Sequence, residues 1–535
     1  MIKRLLVVLL IFVTLGMVST VEAQKKEKPV KNIIILIPDG MSLPQTSITR
    51  WYNGGAPLAM DEIACGLVRT FNADSPIADS APAGTAFATG HKSHTGYVGV
   101  MPDVADMYGM TPNDADKNNQ PLVSILEAAR LLGKSTGLIA TSEIPHATPA
   151  DFSAHFNSRK SYDNILEQQV YNNIDVVFGG GYSFLLPENR KDKEDLTQIL
   201  RSRGYSLIRT RSEMLSLTKG KVWGMFAEKD MAYDFDRPEN EPSIEEMTKK
   251  AIELLSQNSK GFFLMVEGSK IDWAAHANDP IGIISDVLAF DKAVKAALDF
   301  AKKDGNTIVI VVSDHGNGGM SMGDTATSTS YDKEPLKKFI APLKKAKLTG
   351  EGIERLVAEK NIPLYTAIAE YYGYNDFDEK DLSALKNAKK GELNYVVGPM
   401  ISKMASIGWT TNGHTGEEVV LYVYHPTGNR PTGVIDNTRI GTYMAEMFGT
   451  NLDDLTKTLY IPAKTALESV GATMTLDTSD KENPVIVAQK GSKKVMFPIQ
   501  KDIAIVDGKT VQLKSLTVYN GKDYYISQEA TNLLK

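Results

Sequence analysis

The 535-residue sequence has one cysteine, Cys65, so no intramolecular disulfide can form. Stability must come from a buried core, and a 42% hydrophobic content is enough to build one. Cys65 stands in DEIACGLV and reads as a buried, inert thiol. The chain also lacks excess positive charge. A formal net charge of -6 gives no electrostatic reason to expect a nucleic-acid partner. The lysines of LKKAK at 343–347 then read as a solvated face. Beyond the N-terminus, no apolar run reaches the roughly 20 residues a spanning helix needs. Internal repeats and low-complexity tracts are absent. Histidine is scarce, with eight in all, so each one is informative.

The N-terminus has the parts of an export leader. Lys3 and Arg4 precede an apolar run, Leu5 to Val13, and Val21-Glu22-Ala23 resembles a cleavage site. We expect residues 1–23 to be a signal peptide, with the mature chain starting at Gln24. That places the protein in the periplasm, at the cell surface or outside the cell.

Unbroken apolar runs of strand length occur at Asn32 to Pro38, Thr136 to Thr141, Asp175 to Gly179, Phe262 to Val266, Thr307 to Ser313 and Val419 to Tyr424. Such runs suit strands buried on both faces. Helical patterns such as Pro121 to Leu132 and Ile284 to Lys303 lie between them. The alternation predicts an α/β fold, a central, largely parallel sheet with helices on both faces. Residues 316–412 interrupt it as an insertion with helical stretches at 350–373 and 379–389. From about residue 480 the pattern changes again. Asp507-Gly508 and Asn520-Gly521, flanked by alternating segments, predict hairpins in a small β-rich appendage over 480–535.

In open α/β sheets, ligands gather outside the carboxyl ends of the strands. Asp39 follows the first run, Thr148 lies beyond the second, Glu267 ends the fourth, and Asp314 and His315 end the fifth. His414 immediately precedes the last. Asp272 and His276 are four residues apart in DWAAH, which puts both on one helix face. Singly, each has an ordinary explanation as a turn former, a surface ion pair or a loop histidine. Together they could form two three-ligand zinc sites. One would be Asp272, His276 and His414, and the other Asp39, Asp314 and His315. The hard oxygens of Asp39, Thr148 and Glu267 would suit magnesium. Ser80 opens a run of small residues, DSAPAGTA, read as a helix from Ser80 to near Thr89. Its start directs free N–H groups toward an anion, although a plain capping serine has the same pattern.

The segment IADSAPAGTA resembles the nucleophile signature of the alkaline phosphatase family. PDGMS, HATPADFSAHFNSRK, VEGSKIDWAAH, SDHG and NGHTG resemble its other motifs, in the family's order, between about residues 31 and 450. The resemblance implies hydrolysis of small phosphate monoesters through a phosphoserine on Ser80, best at alkaline pH. It implies that Arg159 holds two phosphate oxygens. Asp272, His276 and His414 become ligands of one zinc, and Asp39, Asp314 and His315 of another. Thr148 and Glu267 share Asp39 with a magnesium site. His146 and Trp273 stand where some bacterial members have Asp and Lys, and other members carry His and Trp there. These two residues are expected to line the substrate pocket, where Trp273 removes a cation near the phosphate and His146 alters the third metal site. A homodimer is a further family expectation. The 316–412 insertion corresponds to the family's variable crown. The appendage is a candidate for envelope attachment.

Overall fold

Strand β1, Asn32–Pro38, is buried at every position. The computed structural model describes residues 29–535, and the expected leader lies outside them. Alternate residues of β1 enter two different cores. Ile34 and Leu36 face one, while Ile33, Ile35 and Ile37 face the other. A strand with two apolar faces needs a layer of structure on each side, which is why this sequence folds as helices around a sheet.

Nine further strands complete that sheet. In chain order they are β2 Ala64–Arg69, β3 Ser135–Glu143, β4 Val176–Gly180, β5 Ser206–Ile208, β6 Val222–Ala227, β7 Phe262–Gly268, β8 Thr307–Val312, β9 Val419–Tyr424 and β10 Gly433–Asp436. Their order across the sheet is β10-β2-β9-β8-β1-β7-β3-β4-β6-β5. All neighbours are parallel except β9, which runs antiparallel to both β8 and β2. The predicted α/β architecture is therefore present, with four strands that the apolar runs alone did not mark.

Because β8, β1, β7 and β3 are adjacent and parallel, their carboxyl ends share one edge. Asp39, Glu267, Asp314 and the segment after β3 all emerge there. The insertion does not separate its two ends. Gly316–Asn317 pairs with His414–Thr415, and Ser321–Met322 pairs with Ile407–Gly408. The insertion is thus a closed excursion carrying five α-helices, and its stem brings His315 beside His414.

The C-terminal region carries a five-stranded antiparallel sheet running from Thr473–Asp477 to Lys509–Gln512, over a separate small core. It takes in Thr473–Asp477, ahead of the expected start at 480, because that polar strand pairs with Val485–Lys490. Both predicted hairpins form. Cys65 is only half-buried, where a buried thiol was expected, because it lies on β2 close to the sheet edge. Among the described residues, no helix is long and apolar enough to cross a membrane.

Candidate active site

Helix α1, Ser80–Thr89, starts and ends where the small-residue run predicted. Asp79 is its N-cap residue, which makes Ser80 the first helical residue, with every position of the helix buried. The Ser80 hydroxyl lies 3.2 Å from Nε2 of His315. His315 Nε2 is 3.2 Å from Asp314 Oδ2 and 3.5 Å from Asp39 Oδ1. The sequence-predicted set of Asp39, Asp314 and His315 is therefore assembled around Ser80.

The second set is assembled too. Helix α2, Lys270–His276, directs Asp272 and His276 to one side, with His276 Nε2 3.3 Å from Asp272 Oδ2. His414 Nε2 lies 3.7 Å from Asp272 Oδ1 and 3.2 Å from His276 Nε2. The rings of His414 and His315 stack at 3.6 Å, so the two sets adjoin. Gly40 makes the junction possible. It has φ +66°, and a Cβ there would fall 2.4 Å from Asp272 Oδ1.

The third set gains a member. The expected oxygens of Asp39, Thr148 and Glu267 are all fully buried, and His146 groups with Asp39 and Glu267 within ligand reach. His146 Nε2 also accepts a hydrogen bond of 3.1 Å from Arg159. Trp273 meets the His146 ring edge-on at 5.9 Å. Arg159 extends its other arm to Asp79 Oδ1 at 2.5 Å. Asp79 was missed as a positioning partner, although its place directly before Ser80 was a usable signal.

Three features show that these residues suit bound cations. Both oxygens of Asp39, both of Glu267, Asp314 Oδ2 and Thr148 Oγ1 are buried without a protein hydrogen bond. In the first two sets each imidazole has its Nδ1 on a backbone carbonyl, His276 on Asn412, His315 on Gly316 and His414 on Ala78. That fixes the tautomer and leaves Nε2 lone pairs facing inward, as metal-ligating histidines do. Two such lone pairs, on His276 and His414, face each other and need a positive charge between them.

Electrostatics agree. Burial, then the charges of Asp314, Asp272 and Glu267, push the Asp39 carboxyl well above its ordinary range. Burial and Asp314 push Glu267 up to about 8. Burial and the neighbouring His315 push His414 down to about 4. Burial opposes protonation of His276, but its contact with Asp272 raises it to about 9. So much crowded negative charge is stable only with protons or metal ions in place.

His91 and His94 pair with Asp453 and Asp74, not with these ligands. His155 is a core residue on Glu127.

A serine at a helix start, an arginine beside it and a buried carboxylate–imidazole cluster define a hydrolase of anionic esters. The alkaline phosphatase family profile matches residues 30–450. Alkaline phosphatase 4 of Bacillus subtilis is 37% identical over 436 residues, covering 78% of this chain and 88% of that one. A cold-active alkaline phosphatase from a psychrophilic Shewanella has a TM-score of 0.67 at 29% identity, over 78% of this chain and 99% of that one. A His-to-Asp mutant of the alkaline phosphatase of the Antarctic bacterium TAB5, solved with Mg bound in its M3 site, has a TM-score of 0.56 at 27% identity. It covers 79% of this chain and 99% of its own. The chain belongs to the alkaline phosphatase family. It is a phosphatase acting on phosphate monoesters, in a family that uses metal cofactors.

Proposed function

We propose that the chain hydrolyses phosphate monoesters through a covalent phosphoserine on Ser80, with two zinc ions and one magnesium ion, most actively at alkaline pH. The observation that carries this reading is the Ser80 hydroxyl, 3.2 Å from His315 Nε2 at a helix start that also holds Asp79 and Arg159. Asp39, Asp314 and His315 would hold the ion beside Ser80. Asp272, His276 and His414 would hold the ion on the leaving-group side. Asp39, Thr148 and Glu267, with His146 beside them, would hold magnesium, an ion also present in the M3 site of the TAB5 mutant. When bound, such ions supply Lewis acidity at the attacking and leaving oxygens.

The chain's own groups then do the following. The free N–H groups at the start of α1 and the guanidinium of Arg159 orient the phosphoryl oxygens. Ser80 Oγ gives up its proton and attacks phosphorus as the bond to the leaving oxygen breaks, and that oxygen takes up one proton and departs as the alcohol. Water next attacks phosphorus and the Ser80–phosphate bond breaks. Inorganic phosphate leaves and Ser80 regains its proton. Asp79 holds Arg159 in place through both steps.

The test is phosphate release from an aryl phosphate at about pH 9, near the expected optimum for a hydroxide-dependent step. It compares the zinc- and magnesium-loaded protein, the chelated protein and Ser80→Ala. Release that disappears on chelation and in Ser80→Ala supports the reading. Turnover retained in Ser80→Ala would remove the phosphoserine. The expected homodimer is read by sedimentation, export by fractionation of the producing cells, and envelope attachment by loss of retention without residues 480–535.

A further inference from the structure

The segment that carries Arg159, Phe156 to Ser158, lies outside any helix or long strand, yet it must hold the guanidinium at a fixed distance from Ser80. Two of its restraints come from the catalytic region. Phe156 and Val98 exchange backbone hydrogen bonds of 2.8 and 2.9 Å, and Arg159 N donates to Gly96 O at 2.8 Å. The third comes from the far C-terminus. Asn157 N donates to the carbonyl of Asn520 at 2.8 Å.

Asn520 is built for that task. It is fully buried, its Oδ1 accepts from the backbone of Lys522 and Asp523 at 2.9 and 2.8 Å, and its Nδ2 donates to Asn119 O. On one side of it, the Tyr519 ring packs edge-on against Phe156 at 6.1 Å. Phe156 belongs to a small core with Ala81 of α1 and with Ala147 and Ala150, which flank Thr148. On the other side stands Gly521, with φ +97°, where a Cβ would fall 1.9 Å from Asn157 Oδ1. The C-terminal β-rich region that carries the turn is also tied to the rest of the fold at other points. Arg203 makes two bonds, of 3.0 and 2.6 Å, to the buried Asp502, and Lys501 reaches Glu194 at 2.7 Å.

We propose that the Tyr519–Asn520–Gly521 turn is a positioning element for Arg159, so that the C-terminal β-rich region sets the phosphate affinity of the active site. This rests on the reading of Arg159 as the phosphate-holding residue. Tyr519 fixes the segment from its apolar side, and Asn520 fixes its backbone next to Ser158 and Arg159. Gly521 leaves the space that lets the two segments meet.

The test uses the full metal-loaded chain and measures KM, kcat, inhibition by inorganic phosphate and Tm. Gly521→Ala drives a methyl into Asn157 and should raise KM and the phosphate inhibition constant about tenfold, since a displacement near 1 Å can cost up to about a hundredfold. Its kcat should change less. Asn157→Ala alone keeps the backbone bond and should stay near wild type. Gly521→Ala combined with Asn157→Ala removes the clash but keeps the strain of an alanine at φ +97°, so it should recover part of the phosphate affinity. Tyr519→Ala should shift KM in the same direction and serves if Gly521→Ala does not fold. Arg159→Ala is measured alongside. If Arg159→Ala weakens phosphate binding but Gly521→Ala and Tyr519→Ala do not, the brace is refuted and the Arg159 reading stands. If Arg159→Ala leaves phosphate binding unchanged, the underlying reading fails instead. Loss of Tm with KM unchanged, and no recovery in the double variant, would reduce the turn to a structural role and overturn the proposal.

Discussion

Arg159 donates to Nε2 of His146 across 3.1 Å. Burial and the charge of Arg159 hold the His146 imidazole down at about 3, so the ring is a neutral acceptor beside the cation. It orients the guanidinium without neutralising it.

His146→Asp would place a carboxylate there instead. That group would compete with phosphate for Arg159 and add a hard oxygen beside Asp39 and Glu267. KM should rise about tenfold, the effect of one charge-assisted contact. Magnesium affinity should rise. Kinetics across a magnesium titration checks both, and an unchanged KM would detach His146 from Arg159.

Arg159→Lys keeps the charge and loses the planar fork. One point charge cannot match two parallel bonds to a phosphate, so kcat/KM should fall about 10- to 100-fold. The Asp79 contact of 2.5 Å would be lost or reshaped with it. Asp79→Asn, assayed beside it, should raise KM in the same direction because the guanidinium loses its fixed partner.

What could be read from the chain divides along physical lines. Strands β1, β7 and β8 were legible because both faces are apolar, which leaves an unbroken run. Strand β2, ACGLVR, was not, since five of its six residues, Arg69 among them, are partly or fully exposed. Strand β5 has three residues and leaves almost no pattern. Asp39, Asp314 and His315 were legible because parallel topology delivers strand ends to one edge. Their closeness to His414 was not, because it depends on the pairing of His414 with Asn317 across the insertion. The Asn157–Asn520 contact joins two loops, and no periodicity reports that.

Metal removal should make stability depend on pH in a set direction. Glu267 is raised to about 8, and Asp39 is also raised well above its ordinary value. A carboxyl raised in the folded state keeps a proton that the unfolded chain has released. The folded state therefore binds more protons between the two pKa values, and stability falls as pH rises through that window. For Glu267 the window runs from its ordinary 4.5 up to about 8. The chelated protein should lose Tm across it, while the metal-loaded protein stays nearly flat. Thermal melts across the window, with and without chelator, check this. A flat chelated profile would contradict the burial of these carboxylates.

An effect in the acid range should come from Glu127, which is not part of the cluster. Burial alone would raise its pKa, but His155, Tyr460 and the Ser124 N–H hold it down to about 2. A lowered carboxyl contributes stability that is full above its ordinary 4.5 and lost as pH falls through about 2. Glu127→Gln should flatten that limb. At neutral pH it should cost about 2–3 kcal/mol, because Tyr460 and His155 lose a charged partner. Denaturant midpoints at several acidic pH values measure both effects.

The 316–412 insertion should be coupled to the site through Lys270. Its side chain is 1% exposed, bonded to Asp230 and 3.3 Å from Glu351, which lies in the insertion. The same ammonium stands 4.5 Å from the Trp273 ring. Trp273 in turn abuts His146, and His146 meets Arg159. A buried cation without its partners is costly, and so are partners left without their cation. Lys270→Met fills similar space without the charge. It leaves Asp230 and Glu351 unneutralised, though Glu351, 40% exposed, can turn to water. The cost should be about 3 kcal/mol, at the low end for a broken buried pair because one partner can be resolvated. Loss of the cation also frees the Trp273 ring, so tryptophan emission should shift and KM should rise with kcat less affected. Glu351→Gln leaves the Asp230 bond in place and should show a smaller Tm loss with little change in emission. If Lys270→Met lowers Tm but leaves both emission and KM untouched, Lys270 supports the fold alone and the insertion is not tied to the phosphate-binding groups.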